Sequence, residues 1–209
     1  MEAVEIETGP SPGAAVIWLH GLGADGHDFE PIVPELRLPK PVRFVFPHAP
    51  VRPVTINNGM RMRAWYDILE FGGGPEDEAG IRASQKLVEE LVVAERGKKI
   101  VLAGFSQGGA IVLQTALRYP ERLAGVIALS SYLPLAGTLE KERSQANRDL
   151  PIFMGHGKFD DLIPIDRARM SGDFLKGMNY NIEWRDYPMP HSVCAEEIGD
   201  IASFLVRIL

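Results

Sequence analysis

The chain has 209 residues, 45% hydrophobic and 24% charged, with a formal net charge of −6. That balance fits one globular domain over residues 1–209 and argues against nucleic acid or anionic membrane surfaces as primary partners. The single cysteine, Cys194, excludes an intramolecular disulfide and fits a reducing, cytoplasmic setting.

The start, MEAVEIETGPSPG, lacks the basic and apolar regions of a signal peptide, and AAVIWL is too short to span a bilayer, so no stable membrane insertion is expected. Ala14 to Leu19 reads as a strand running into the glycine loop HGLGADG, followed by a short helix in DFEPIVPEL. VRFVFP, from Val42 to Pro47, is a second strand. The three prolines of the stretch from Pro47 to Val54 are expected to end regular structure there. Thr55 to Gly80 has turn residues and aromatics without a clear period, so an irregular segment is expected. Its FGGGP has no strand-helix context for a phosphate loop. A helix resumes near Asp77, with Ile81, Leu87, Val88, Leu91 and Val92 spaced for one apolar face.

KKIVLA then reads as a buried strand and AIVLQTALRY as a helix, with GFSQGG between them. Leu123 to Ser130 is another strand, and GTLEKERSQANRDL reads as a polar surface excursion. Pro151 to Gly157 is a strand, RARMSGDFLKGM a helix, NIEWRDYP a strand, and Ala195 to Ile208 the last helix. Strands apolar on both faces, alternating with helices, predict an α/β fold with a mostly parallel central sheet covered on both sides. In such sheets the chemistry gathers where strands end, here at HGLG, GFSQG, GKFDD and MPHS.

Ser106 stands on the turn of GFSQGG with Gly104 and Gly108 two residues either side. This is the G-x-S-x-G nucleophile elbow in the strand-turn-helix context it needs. A serine hydroxyl needs a neighbouring base, and imidazole is the usual one. With that elbow the chain order is serine, acid, histidine. His191 is the histidine that follows Ser106 and leaves a strand-end carboxylate between them. His20, His27, His48 and His156 are expected to hold backbone in place. For the acid, Asp160 and Asp161 are adjacent and spacing does not separate them; Asp166 opens the next helix and looks like a dipole complement. The oxyanion needs two backbone N–H donors. Gln107 follows the nucleophile, and Leu22 lies in the HGLG loop. Both donors are backbone, so their side-chain types are expected to matter little. Trp18 and Trp184 are expected in the core and Cys194 as a small buried residue. No His, Cys and Asp cluster has metal-ligand spacing.

HGLGADGHDF, PVTINNG, RAWYD, GFSQGG, HGKFDDLIP and HS together resemble the small carboxylesterase and acyl-protein thioesterase family of α/β-hydrolases, from about Ala14 to the C-terminus. The wording from PVTINNG to RAWYDI is more similar to the bacterial carboxylesterases. The resemblance implies an α/β-hydrolase fold with no separate lid domain and no cofactor, and the family includes homodimers. It also implies the roles: Ser106 as nucleophile, His191 as base, Asp160 as acid, Leu22 and Gln107 as oxyanion donors. Asp161 departs from the proline often found there. Trp65, Tyr66 and Asp67 match a motif in the segment over the acyl groove, which makes Trp65 and Tyr66 candidate substrate contacts. The main reading is therefore a serine carboxylesterase for small or medium acyl chains. The alternative is an acyl-protein thioesterase or lysophospholipase-type hydrolase for long chains. A catalytically silent binding module is a third reading, disfavoured because every role is filled.

Overall fold

A strand that is apolar on both sides needs cover on both faces. The computed structural model describes residues 1–70 and 74–209; of FGGGP, Phe71, Gly72 and Gly73 lie outside them. In chain order the elements are β1 (Ala3–Glu7), β2 (Ala14–Leu19), α1 (Val33–Leu36), β3 (Val42–Pro47), β4 (Val51–Val54), β5 (Met60–Arg63), α2 (Glu78–Ala94), β6 (Lys99–Phe105), α3 (Gln107–Ala116), β7 (Gly125–Leu129), α4 (Ala136–Glu142), β8 (Pro151–Gly157), α5 (Ile165–Gly177), β9 (Asn181–Tyr187) and α6 (Ala195–Ile208).

Seven strands form one sheet in the order β1-β3-β2-β6-β7-β8-β9. Only β1 runs antiparallel, against β3. Along each central strand, residues alternate between two cores. Ile17, Leu102, Ala128 and Met154 pack under α2 and α3. Val16, Val101, Ile127 and Phe153 pack under α1 and α6. The parallel α/β sheet with helices on both faces is the one the sequence predicts.

Three segments depart from the expectation. The acidic start forms β1: Val4 and Ile6 lean on the core, while Glu5 and Glu7 point out and pair with Arg43 at 2.7 and 3.2 Å. The proline-rich stretch does not end regular structure but forms β4, paired with β5 in a two-stranded ribbon. A ribbon has only edges, so Pro53 removes no donor that a central strand would need. Asn58 and Gly59 make its turn, both at positive φ (54° and 75°). The polar excursion contains α4, with Leu139 fully buried. Arg118, just beyond α3, donates to Glu142 Oε2 at 2.7 Å, Thr138 Oγ1 at 2.9 Å and Leu135 O at 3.2 Å. Polar groups that satisfy one another across the fold read as surface residues in the sequence.

Glu197, in the first turn of α6, is fully buried. Its carboxylate occupies the space a Cβ at Gly155 would need, and neither oxygen has a hydrogen-bond partner among the described residues. Burial, with the charge of Asp200 second, pushes its carboxyl up from 4.5 to about 8. The sign follows directly. The unfolded chain releases this proton above 4.5, whereas the folded protein keeps it until about 8. Folding is therefore weakened progressively as pH rises through that window, and the loss levels off above it. Glu197→Gln is expected to flatten this slope and to be more stable than the parent by roughly 2 kcal/mol at alkaline pH. Urea midpoints measured across the window check it; parallel slopes for the two proteins would contradict it.

Candidate active site

Ser106 is the single residue between β6 and α3. Its backbone sits at φ 55°, ψ −119°, a conformation L-residues other than glycine rarely hold. The Ser106 N–H donates to Leu129 O at 2.8 Å, and Ser131 Oγ donates to Ser106 O at 2.8 Å. Gly104 and Gly108 allow the strand and helix to cross. A Cβ on Gly104 would meet the Gly108 backbone, and one on Gly108 would meet Leu19 O and His20 O.

The loops after β8 and β9 run side by side. Lys158 N–H donates to Tyr187 O at 2.8 Å, and Phe159 N–H to Met189 O at 3.1 Å. Gly157 permits the approach, since a Cβ there would strike Met189 O and Pro190 O. The zipped loops bring Asp160 to His191. Asp160 Oδ1 accepts the N–H groups of Leu162 and Ile163 at 3.0 and 2.8 Å, and Oδ2 lies 2.7 Å from His191 Nδ1. Asp160 is buried and Asp161 exposed, so the two aspartates that spacing left even have different surroundings. Asp166 is exposed, in the first turn of α5. Asp160→Asn is expected to lower kcat roughly 10³–10⁴-fold by removing the acceptor that orients the imidazole, whereas Asp161→Asn stays within about twofold, as surface changes do. Steady-state rates of the two variants decide between them; equal effects would discard the assignment.

The remaining histidines hold backbone, with one exception. His20 Nε2 accepts from Ala49 N–H at 3.0 Å, its Nδ1 lies 2.7 Å from Gly21 O, and burial pushes its pKa down. It is therefore neutral, with the proton on Nδ1. His48 Nδ1 accepts from Gly26 N–H at 2.9 Å. His156 Nε2 lies 2.8 Å from Ile163 O, and burial lowers its pKa. A neutral His156 donating there braces the loop that carries Asp160. His27 is exposed and pairs with Glu30 instead. Trp18 is buried as expected, Trp184 is half-buried against His156, and Cys194 is half-buried rather than buried, at the N-cap position of α6 with no side-chain cap bond.

Ser106, His191, Leu22 and Gln107 line one cavity of about 390 Å³. Among the described residues, neither the Leu22 nor the Gln107 N–H has an acceptor. Phe105, which sequence reasoning passed over, lines the cavity and packs its ring 4.7 Å from that of His191. Tyr66 lines the cavity, but Trp65 does not. Trp65 is a core residue with no exposed surface, its indole N–H donating to His20 O at 2.9 Å. The reason lies in Gln107. Its Oε1 accepts the Trp65 N–H at 2.7 Å and its Nε2 donates to Tyr66 O at 2.7 Å. This amide clamp fixes the segment over the cavity to the elbow helix and turns the indole inward, so the Gln107 side chain matters after all. Only the sharing of one buried amide between distant segments reveals it. Among the described residues no cluster of His, Cys, Asp or Glu is placed to hold a metal ion, and no helix is long and apolar enough to cross a membrane.

The chain matches the model of the Phospholipase/Carboxylesterase family over residues 1–209. It belongs to that family. As a member it is an α/β-hydrolase and an enzyme of the serine-hydrolase class. It is similar to acyl-protein thioesterase 1 of Gibberella zeae, 39% identical over 213 residues, covering 94% of this chain and 91% of the relative. The Neurospora crassa protein of the same name is 41% identical over 213 residues, covering 94% and 87%. Among solved structures, Arabidopsis thaliana SOBER1 superposes with a TM-score of 0.87 at 32% identity, covering 93% of this chain and 98% of that one. Within the Phospholipase/Carboxylesterase family, the names of these relatives favour the acyl-protein thioesterase alternative over the carboxylesterase reading.

Proposed function

We propose that this chain hydrolyses acyl thioesters and related acyl esters through a Ser106, His191 and Asp160 triad. The observation that carries the reading is the strained Ser106 elbow sharing one cavity with His191, whose far nitrogen meets a buried Asp160 carboxylate at 2.7 Å. In this scheme His191 Nε2 takes the Ser106 proton as the hydroxyl attacks the acyl carbonyl. Asp160 keeps the imidazole proton on Nδ1 and stabilises the imidazolium. The unused N–H groups of Leu22 and Gln107 receive the oxyanion. The thiol or alcohol leaves with the proton from His191, and water, activated by the same imidazole, then frees the acid. Tyr66, with Ile68, Leu162 and Ile163, offers an acyl chain an aromatic and aliphatic wall. A cytoplasmic location fits the one cysteine, and a homodimer is the assembly the family resemblance suggests.

The test is a rate comparison. Fluorophosphonate labelling of Ser106 and a kcat/KM at least tenfold higher on a palmitoyl thioester than on p-nitrophenyl butyrate are expected. The reverse ranking would restore the short-chain carboxylesterase reading. Folded protein that resists labelling would remove the triad scheme and favour a binding module.

A further inference from the structure

Among the described residues one cation lines the catalytic cavity, and the triad scheme leaves it idle. Arg167, in the first turn of α5, shares the cavity with Ser106 and His191. Its guanidinium carbon lies 3.6 Å from the centre of the Tyr132 ring. The Tyr132 hydroxyl meets that of Tyr66 at 2.9 Å, and Tyr66 O is held by the Gln107 amide. The cation is thus stacked on a platform tied to the elbow helix rather than free to wander. Among the described residues the guanidinium has no carboxylate within 4.0 Å and makes no hydrogen bond. Arg169, two residues on, is paired with Asp186 at 2.8 Å. A guanidinium stacked by its face keeps its in-plane N–H fork available, and that fork matches a carboxylate or a phosphate. Arg167 and Tyr132 also line an adjoining cavity of about 430 Å³. A substrate extending from Ser106 past Tyr132 therefore meets the fork on its way.

Two carboxylates, Asp28 and Glu70, line the catalytic cavity as well. Neither pairs with Arg167 among the described residues. Burial pushes the Asp28 carboxyl up.

We propose that Arg167 is a specificity residue that receives an anionic group of the substrate, a carboxylate or phosphate, so that the enzyme prefers acyl esters or thioesters bearing a negative charge over neutral ones of equal size. This rests on Ser106 being the nucleophile. The anion can enter from either side of the scissile bond. An acyl-side charge is probed with p-nitrophenyl monoesters of dicarboxylic acids against esters of monocarboxylic acids of the same length. A leaving-group charge is probed with butyryl-4′-phosphopantetheine against the neutral butyryl-pantetheine.

In at least one arm, the parent protein is expected to favour the anionic member, and Arg167→Gln to lower the anionic-to-neutral ratio of kcat/KM about tenfold, with KM carrying most of the change. Arg167→Lys, which keeps the charge but not the fork, is expected to fall between. A ratio that neither variant moves in either arm overturns the proposal. So does a choline ester turned over faster than its neutral isostere, which would give the field to Asp28 and Glu70. Ratios cancel any general loss of folded protein. If Ser106→Ala still turned over the neutral members, the triad scheme would fail and the Arg167 proposal with it, whereas an inactive Ser106→Ala beside an unmoved ratio overturns the role of Arg167 alone.

Discussion

Ser106→Ala is expected to lower kcat on any ester or thioester by roughly 10⁴-fold or more while leaving substrate affinity nearly unchanged. In the proposed scheme the hydroxyl is the atom that forms the acyl-enzyme, and nothing else at the elbow can replace it. The structure explains why binding survives. Ser106 holds its place by backbone bonds, its N–H to Leu129 O and its carbonyl to Ser131 Oγ, both at 2.8 Å, and alanine keeps them. The cavity wall and the N–H groups of Leu22 and Gln107 remain, so a residual rate above water is expected from these alone. Single-turnover kinetics with a palmitoyl thioester, beside equilibrium binding of a non-hydrolysable analogue, give both quantities. Turnover within tenfold of the parent would dismiss the acyl-enzyme mechanism. Alanine accepts positive φ about as poorly as serine, so the strain is already present in the parent and a large fall in stability is not expected to confuse the result.

Gly108→Ala is expected to be among the most damaging single-methyl additions in the molecule. Its Cβ would sit 2.7 Å from His20 O and closer still to Leu19 O. Both are backbone atoms at the end of β2, itself paired on both sides with β3 and β6. No side chain can swing away, so α3 must lift from the sheet. That helix has every residue buried. Overpacking of this kind costs about 3 kcal/mol or more. The same displacement moves the Gln107 N–H and loosens the amide clamp on Trp65 and Tyr66, so activity should fall further than stability. Urea unfolding and kcat/KM measured on one preparation separate the two losses. An unchanged midpoint would mean that the crossing of β2 and α3 is less tight than these contacts indicate.

How much of this was legible beforehand varied with the kind of signal. Val16, Trp18, Val101 and Ile127 announce buried strands because a central parallel strand has two dry faces and no room for polar residues. GFSQGG announces a sharp turn because few residues other than glycine permit one. β1 was hidden since five residues with two glutamates at an edge satisfy only a weak alternation. The β4–β5 ribbon was hidden because proline argues against strands in general, though not against ribbon edges. α4 was hidden because Arg118, Thr138 and Glu142 are polar in composition yet bonded to one another across the fold. Trp65 was misassigned to the cavity, since a motif says which residue is present and not which way its ring turns.

The sequence by itself determined the parallel α/β architecture, the nucleophile elbow, and the order of serine, aspartate and histidine along the chain, because these follow from local periodicity and from backbone constraints within a few residues. The family resemblance already pointed to Asp160 over Asp161, and its carboxylate lies 2.7 Å from His191; only the tertiary structure decided that Gln107 grips the Trp65–Tyr66 backbone and that Arg167 enters the cavity. Each of those depends on groups far apart in sequence meeting at a distance set by the packing of loops, which no local pattern encodes.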